Sequence, residues 1–284
     1  MWASLCEYHR PATIGAALKI LARMSPRTVP LAGGTWLVAK RDPFIQAVVD
    51  LSGLDLAFVV QSARLMRLGA MTTLHTLVEH PLVREVGCGL LAKASRRSAP
   101  LSIRNIATLG GTLAIGGATS EVLLALLVLD ARAVIRSPLK HEVTMDALLA
   151  NRSMHLPPQA LITEVYLPKL PPGSGAALVE ISRTPRGSPI VNAAAVITRR
   201  GQTCRGVRLA LGGVAPYPIR LSGVEGMFSY QPFRDGLLAR SSKAVSDTIN
   251  PSDDFLAGAE YRRVMAAVVA EGALREAWEQ ATKE

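Results

Sequence analysis

Leu31-Ala32-Gly33-Gly34-Thr35 and Thr108-Leu109-Gly110-Gly111-Thr112 decide the reading of this chain. Both turns follow apolar stretches and string together backbone N–H groups that no side chain obstructs. Glycine admits φ > 0, so successive amides can point into one concavity and form an anion nest of the kind a pyrophosphate needs. Alone, the first turn reads equally as a tight β-turn. Its functional reading gives the Ala32, Gly33, Gly34 and Thr35 amides, with the Thr35 hydroxyl, to phosphate oxygens at the start of a short helix. Trp36 follows as a packing or a stacking residue. In the second turn Thr108 and the Gly110 and Gly111 amides are donors and Thr112 adds a hydroxyl, while Thr119 and Ser120 cap the next helix and turn its positive end toward the same pocket. Glu121 either opens that helix or accepts from a sugar hydroxyl.

A third glycine cluster, Gly87-Cys88-Gly89-Leu90-Leu91-Ala92, matches the G-x-G-x-x-A dinucleotide fingerprint in letters only. A Rossmann turn sits between a strand and a helix. Here Leu82-Val83-Arg84-Glu85-Val86 continues a helical pattern from Pro81, which predicts one helix over 81–97. Phosphate loops and nucleophile elbows are missing from the sequence.

Around the turns, the pattern predicts a helix opened by Pro11 with Ile14, Ala17, Leu18 and Leu21 on its apolar face, then strands at 29–32 and 45–51. A second unit begins near Leu56, with strands at 65–70, 133–136 and 161–167 and an apolar helix at 121–129. Pro168-Lys169-Leu170-Pro171-Pro172-Gly173-Ser174-Gly175 reads as a linker, stiff and then flexible. Beyond it lie β-rich runs at 177–183, 191–198 and 206–211 and helices at 233–246 and 257–282. The expected domains are therefore 1–172, subdivided at about 1–55 and 56–172, and 173–284.

With 49% apolar and 5% aromatic residues the core should be Ala/Leu/Val packing. The longest apolar run, eight residues at 122–129, falls short of the roughly eighteen a membrane span needs. Residues 1–7 lack a basic-then-apolar leader pattern, so a cytoplasmic location is expected. Three scattered cysteines and five histidines without ligand spacing predict no metal in this chain. The net charge of +10 is dispersed and not interleaved with aromatics, which argues against nucleic-acid binding and for an anionic cofactor, acidic partners or a solvated basic face.

The chain resembles the FAD-binding medium subunit of the molybdenum hydroxylases, the xanthine dehydrogenase and carbon monoxide dehydrogenase family. Besides the two turns, the likeness rests on Tyr8-His9-Arg10-Pro11, Val49-Asp50-Leu51, Gly69-Ala70-Met71-Thr72-Thr73, Ile103-Arg104-Asn105-Ile106-Ala107, Gly117-Ala118-Thr119-Ser120, Asp130-Ala131, Leu209-Ala210-Leu211-Gly212-Gly213-Val214-Ala215-Pro216 and Glu260-Tyr261-Arg262-Arg263. The resemblance implies an α+β chain: a two-subdomain FAD-binding domain followed by a C-terminal domain of a small antiparallel sheet and helices. It further implies FAD here, molybdenum pterin on a large partner subunit and two [2Fe–2S] clusters on a small one, with NAD, a quinone or oxygen as electron acceptor. Residues 31–36, Thr108, 110–112 and 119–121 would form the cofactor site. The family usually has asparagine where Thr112 stands, aspartate where Glu121 stands, and an aspartate with an aromatic or aliphatic neighbour where this chain has Arg186-Gly187-Ser188-Pro189-Ile190. Those departures motivate an alternative, a structural or assembly subunit of the same complex with weak or absent FAD binding.

Overall fold

The computed structural model describes residues 4–184 and 187–281, which form two compact units interleaved along the chain. The first takes the chain up to Leu77 together with Ala99–Gly116 and Ala131–Leu167. The second takes Val78–Ser98, Gly117–Asp130 and the chain from Pro168 onward.

The first unit contains two sheets. In the smaller, parallel one, Ala47–Asp50 runs between Glu7–His9 and Thr28–Leu31. Its central position explains why Ala47, Val48 and Val49 are all buried, without polar alternation. Pro30 sits on the edge strand in register with Val49, where a missing N–H is tolerated. Helix Ile14–Leu21 buries Ala17 and Leu21 against Val49, Leu51 and Leu54. The larger sheet orders Val59–Gln61, Leu65–Gly69, Leu161–Pro168, Arg132–Arg136 and Lys140–Thr144.

In the second unit an antiparallel sheet orders Ile219–Arg220, Thr203–Gly212, Val191–Arg200 and Ser174–Ile181. Helix Ala259–Gln280 lies across the last two strands. Contact is so close at Gly175 that a Cβ there would fall 2.1 Å from the Ala277 carbonyl oxygen. Helix Glu121–Val128 is buried at every position, as the apolar run at 122–128 requires.

The α+β class and the C-terminal antiparallel sheet with helices are as expected, and four local readings change. The helix expected over 81–97 is broken, into Pro81–Glu85 and Leu90–Arg97. Gly87, Cys88 and Gly89 lie between them with φ of 64°, 55° and 67°, a left-handed run no α-helix accommodates. The fingerprint-like glycines thus join two helices. Thr13, not a first-turn Pro11, starts the N-terminal helix, its Oγ1 accepting from the Ala16 N–H at 3.2 Å. Residues 98–104, which read as a loop from the sequence, hold a short helix, Leu101–Arg104. The expected linker shrinks, because Pro168 ends one strand and Ser174 and Gly175 begin the next.

Candidate functional site

Three glycine-containing segments meet in the first unit. Gly69-Ala70-Met71-Thr72-Thr73 ends a strand and is spliced to the second turn by backbone bonds: Gly110 N–H to Ala70 O at 2.8 Å, Leu109 N–H to Thr72 O at 2.9 Å, and Leu74 N–H to Ala107 O at 2.8 Å. The first turn then packs directly on the second. A Cβ on Gly33 would fall 1.7 Å from the Ile106 carbonyl oxygen, and one on Gly110 would fall 2.8 Å from Ala70 Cβ. Glycine at these two positions is a requirement of contact. Gly34, at φ 71°, is the left-handed residue that starts helix Thr35–Lys40.

Together these segments wall a cavity of about 380 Å³. Ala32, Gly33, Gly34, Thr35 and Trp36 line it, facing Thr108, Gly110, Gly111 and Thr112; Leu156 and Ala160, Leu161 and Ile162 add an apolar wall. Arg27, Lys40 and Asp42 bring charge, two cations against one carboxylate. Lys40 Nζ stands 4.6 Å from the Trp36 ring centroid, and the indole is 43% exposed, so Trp36 presents an open face to the cavity.

The two turns differ in what they offer. The N–H groups of Ala32, Gly33, Gly34, Thr35 and Trp36 have no acceptor among the described residues, as expected of a strand end feeding a helix start. In the second turn most groups are engaged internally. The Gly110 amide is bonded to Ala70, the Gly111 amide donates to Thr108 Oγ1 at 3.1 Å as part of an N-cap, and the Thr112 hydroxyl donates to Thr108 O at 3.0 Å. The sequence treated these donors as free. Ala70 takes up the Gly110 amide, and Thr108 itself takes up the Gly111 amide and the Thr112 hydroxyl.

Of the remaining expected site residues, Leu31 does not line the cavity but packs beside Leu37, Ile45 and Val48. Thr119, Ser120 and Glu121 belong to the second unit. Ser120 caps helix Glu121–Val128, with the Leu123 N–H at 3.5 Å from its Oγ, and Glu121 is buried. Thr119 lines a second cavity of about 370 Å³ with Ser188, Gly213, Asn250, Ser252 and Arg262. Arg262 is buried and gathers the loops there. Its Nη1 donates to Ile190 O at 2.7 Å and Gly213 O at 2.8 Å, and its Nη2 to Asp254 Oδ2 at 2.6 Å. Arg186 lies outside the described residues.

Sequence reasoning assigned no role to Tyr8, Asp50 and Ser52, which form a polar cluster at the end of the parallel sheet. Asp50 accepts from the Tyr8 hydroxyl, from the Ser52 N–H at 2.9 Å and from the Ser52 hydroxyl at 2.8 Å, with Arg10 Nε at 3.8 Å. Burial raises the Asp50 carboxyl, but the hydrogen bonds from Tyr8 and Ser52 and the Arg10 charge prevail and hold it below the usual range. A lone carboxylate after Val48-Val49 was the available signal. In the second unit, burial pushes the Glu121 carboxyl up to about 7, and the Cys204 thiol up to about 11. Cys6 and Cys88 are exposed thiols.

Residues 4–170 match the family described as the FAD binding domain in molybdopterin dehydrogenase, and residues 177–277 that of the CO dehydrogenase flavoprotein C-terminal domain. The carbon monoxide dehydrogenase medium chain of Hydrogenophaga pseudoflava is 26% identical over 278 residues, 96% of each chain. The nicotine 6-hydroxylase medium subunit of Paenarthrobacter nicotinovorans is 29% identical over 262 residues, 90% of this chain and 91% of that one. A solved structure of carbon monoxide dehydrogenase from Hydrogenophaga pseudoflava superposes with a TM-score of 0.91, covering 97% of this chain and 98% of that one at 26% identity. The chain therefore belongs to the FAD-binding medium subunits of the molybdenum hydroxylases, the oxidoreductase family of carbon monoxide and xanthine dehydrogenases.

Proposed function

We propose that this chain holds FAD as the electron-transfer subunit of a three-part molybdenum hydroxylase. Electrons would enter from [2Fe–2S] clusters of a small partner subunit, after substrate oxidation at a molybdenum pterin of a large one. They would leave to an external acceptor such as NAD, a quinone or oxygen. The observation that carries the proposal is the first glycine turn: five consecutive N–H groups without an acceptor among the described residues, in a cavity whose charged side chains are mainly cationic. That arrangement suits a pyrophosphate. Ala32, Gly33, Gly34 and Thr35 would bind phosphate oxygens, and Lys40 with Arg27 would balance the negative charge. Trp36 offers a flat apolar face to an aromatic group. Gly33, Gly110 and Thr108 act by fixing the position of the turns, and Leu31 by anchoring the strand before them. Thr112, Thr119, Ser120 and Glu121 would serve the ribityl and phosphate region. Bound FAD would supply the redox chemistry, exchanging electrons singly or in pairs.

We further propose domains at 1–172 and 173–284, the former divided near residue 55. The family matches at 4–170 and 177–277 and the two separate sheets before residue 170 support that plan.

A structural subunit with weak FAD occupancy is the second reading, favoured by the engagement of the Gly110 amide and Thr112 hydroxyl within the protein. The absorption spectrum of the purified complex after reconstitution with FAD separates the two. Stoichiometric flavin absorption is expected; its absence overturns the first reading.

A further inference from the structure

We propose that Arg199, Arg200, Arg205 and Arg234, gathered at one end of the C-terminal sheet, form a docking surface for an acidic face of a partner subunit. The proposal rests on the multi-subunit reading above and not on the flavin.

Backbone geometry brings the four together. Strands Val191–Arg200 and Thr203–Gly212 join through the two-residue turn Gly201-Gln202, with Arg200 opposite Thr203 and Arg199 opposite Cys204. Thr198 pairs with Gly206, so Arg205 is the extra residue of a bulge, a feature that re-aims a side chain. A third segment closes on the turn. The Phe233 N–H donates to Gln202 O at 3.1 Å, the Cys204 N–H donates to Gln231 O at 2.9 Å, and Thr203 bridges to Pro232. Arg234, the residue before helix Asp235–Thr248, is thereby carried to the same end. Arg200, Arg205 and Arg234 are exposed.

Their charges are not balanced from within. None of the four has a carboxylate partner among the described residues, although cations nearby do: Arg208, on the same strand, and Arg220 are held by Asp130, and Arg275 takes Asp235, the neighbour of Arg234. Arg199 is fixed without an anion. Its Nε donates to Gly201 O at 2.8 Å and its guanidinium stands 4.0 Å from the Trp278 ring centroid, while the Phe233 ring stacks on Trp278 at 4.5 Å. Sequence alone shows these arginines without aromatics between them; the fold supplies Trp278 and Phe233.

The chemistry favours carboxylates on a protein. Guanidinium forks match carboxylates in a bidentate way, and a tight turn with a stacked Arg199 leaves less freedom to lose on binding. Trp278 is already committed to Arg199 and Phe233, which disfavours a stacked nucleobase. Arginine with tryptophan and the exposed Tyr230 is the composition that anchors protein interfaces. With a net charge of +10 this chain is a basic member of its complex, so complementarity requires an acidic face opposite.

The test uses the purified complex. In Arg200→Glu/Arg205→Glu the dissociation constant for the partner subunits should rise by at least about tenfold, and rising salt should weaken wild-type assembly more than that of the variant. Lys19→Glu/Arg64→Glu, with the same change of charge elsewhere, should assemble like the wild type. Flavin content should be unchanged, since none of the four arginines lines the first cavity. Unchanged assembly of Arg200→Glu/Arg205→Glu, or equal weakening of both double variants, overturns the proposal. So does binding of single-stranded oligo-dT that Arg200→Glu/Arg205→Glu abolishes while assembly persists, which would assign the surface to nucleic acid. Should the glutamate variant fail to fold, Arg200→Gln/Arg205→Gln takes its place, and wild-type assembly there overturns the proposal. A wild-type chain that recovers no partner subunit overturns the multi-subunit reading as well, an outcome distinct from a complex that forms and ignores these arginines.

Discussion

Gly33 lies against Ile106 so closely that a Cβ on Gly33 would fall 1.7 Å from the Ile106 carbonyl oxygen. The obstacle is backbone, which cannot rotate away as a side-chain tip can. Gly33→Ala must therefore separate the two glycine turns. We expect a loss of about 3 kcal/mol, at the upper end for overpacking, measured by denaturant unfolding, and loss of FAD from the purified complex measured by absorbance. Full FAD retention in a folded Gly33→Ala would show that contact between the turns is not needed for the site.

The adjacent glycines of the second turn should respond unequally. A Cβ on Gly110 would meet Ala70 Cβ at 2.8 Å and Ala70 O at 3.0 Å, whereas one on Gly111 meets only Thr108 Oγ1 at 3.0 Å. Gly110→Ala strains the splice to residues 69–73 and should cost about 1–3 kcal/mol. Gly111→Ala perturbs one hydroxyl and gains helix propensity, so its net effect should be within about 1 kcal/mol. Melting curves of the two variants decide; equal destabilisation would contradict this ordering.

Thr108 caps helix Leu109–Ile115 through its bond from the Gly111 N–H. Thr108→Val keeps the shape and removes the acceptor, which should cost about 1 kcal/mol. It also frees the Gly111 amide toward the cavity. FAD affinity, measured by flavin fluorescence quenching, should fall less than stability does.

How much of this was legible follows from the range of the forces involved. The glycine turns, the strand at 191–198 and the buried helix at 121–129 declare themselves through local periodicity, and the structure has them at Val191–Arg200 and Glu121–Val128. Gly87-Cys88-Gly89 was misread because its helical flanks hide three left-handed residues, and letters do not show φ. The use of the Gly110 donor was invisible for another reason: Ala70 lies forty residues away, and only the folded sheet brings it there. The same holds for Asp50, whose partner Tyr8 comes from a strand at the other end of the sheet's sequence. Distant pairing took up the Gly110 amide, and a local cap took up the Gly111 amide.

Arg262 gives the last prediction. Its guanidinium holds the Ile190 and Gly213 carbonyls and Asp254 at once, while a Cβ on Gly213 would meet the Ile190 oxygen at 2.2 Å. Arg262→Leu fills similar volume but leaves two carbonyls without their donor, and should cost about 3 kcal/mol near neutral pH. Its acid limb should change too. The hydrogen bond from Arg262 holds the Asp254 carboxyl below its usual range, so this contribution is present above the unfolded carboxyl value and is lost as pH falls through the lower folded one. Arg262→Leu removes the cause, so its stability should decline less steeply on acidification than the wild type's. Denaturant midpoints measured from neutral to acidic pH check both parts: a wild-type-like midpoint near neutrality would refute the clamp, and an unchanged acid slope would refute the coupling to Asp254.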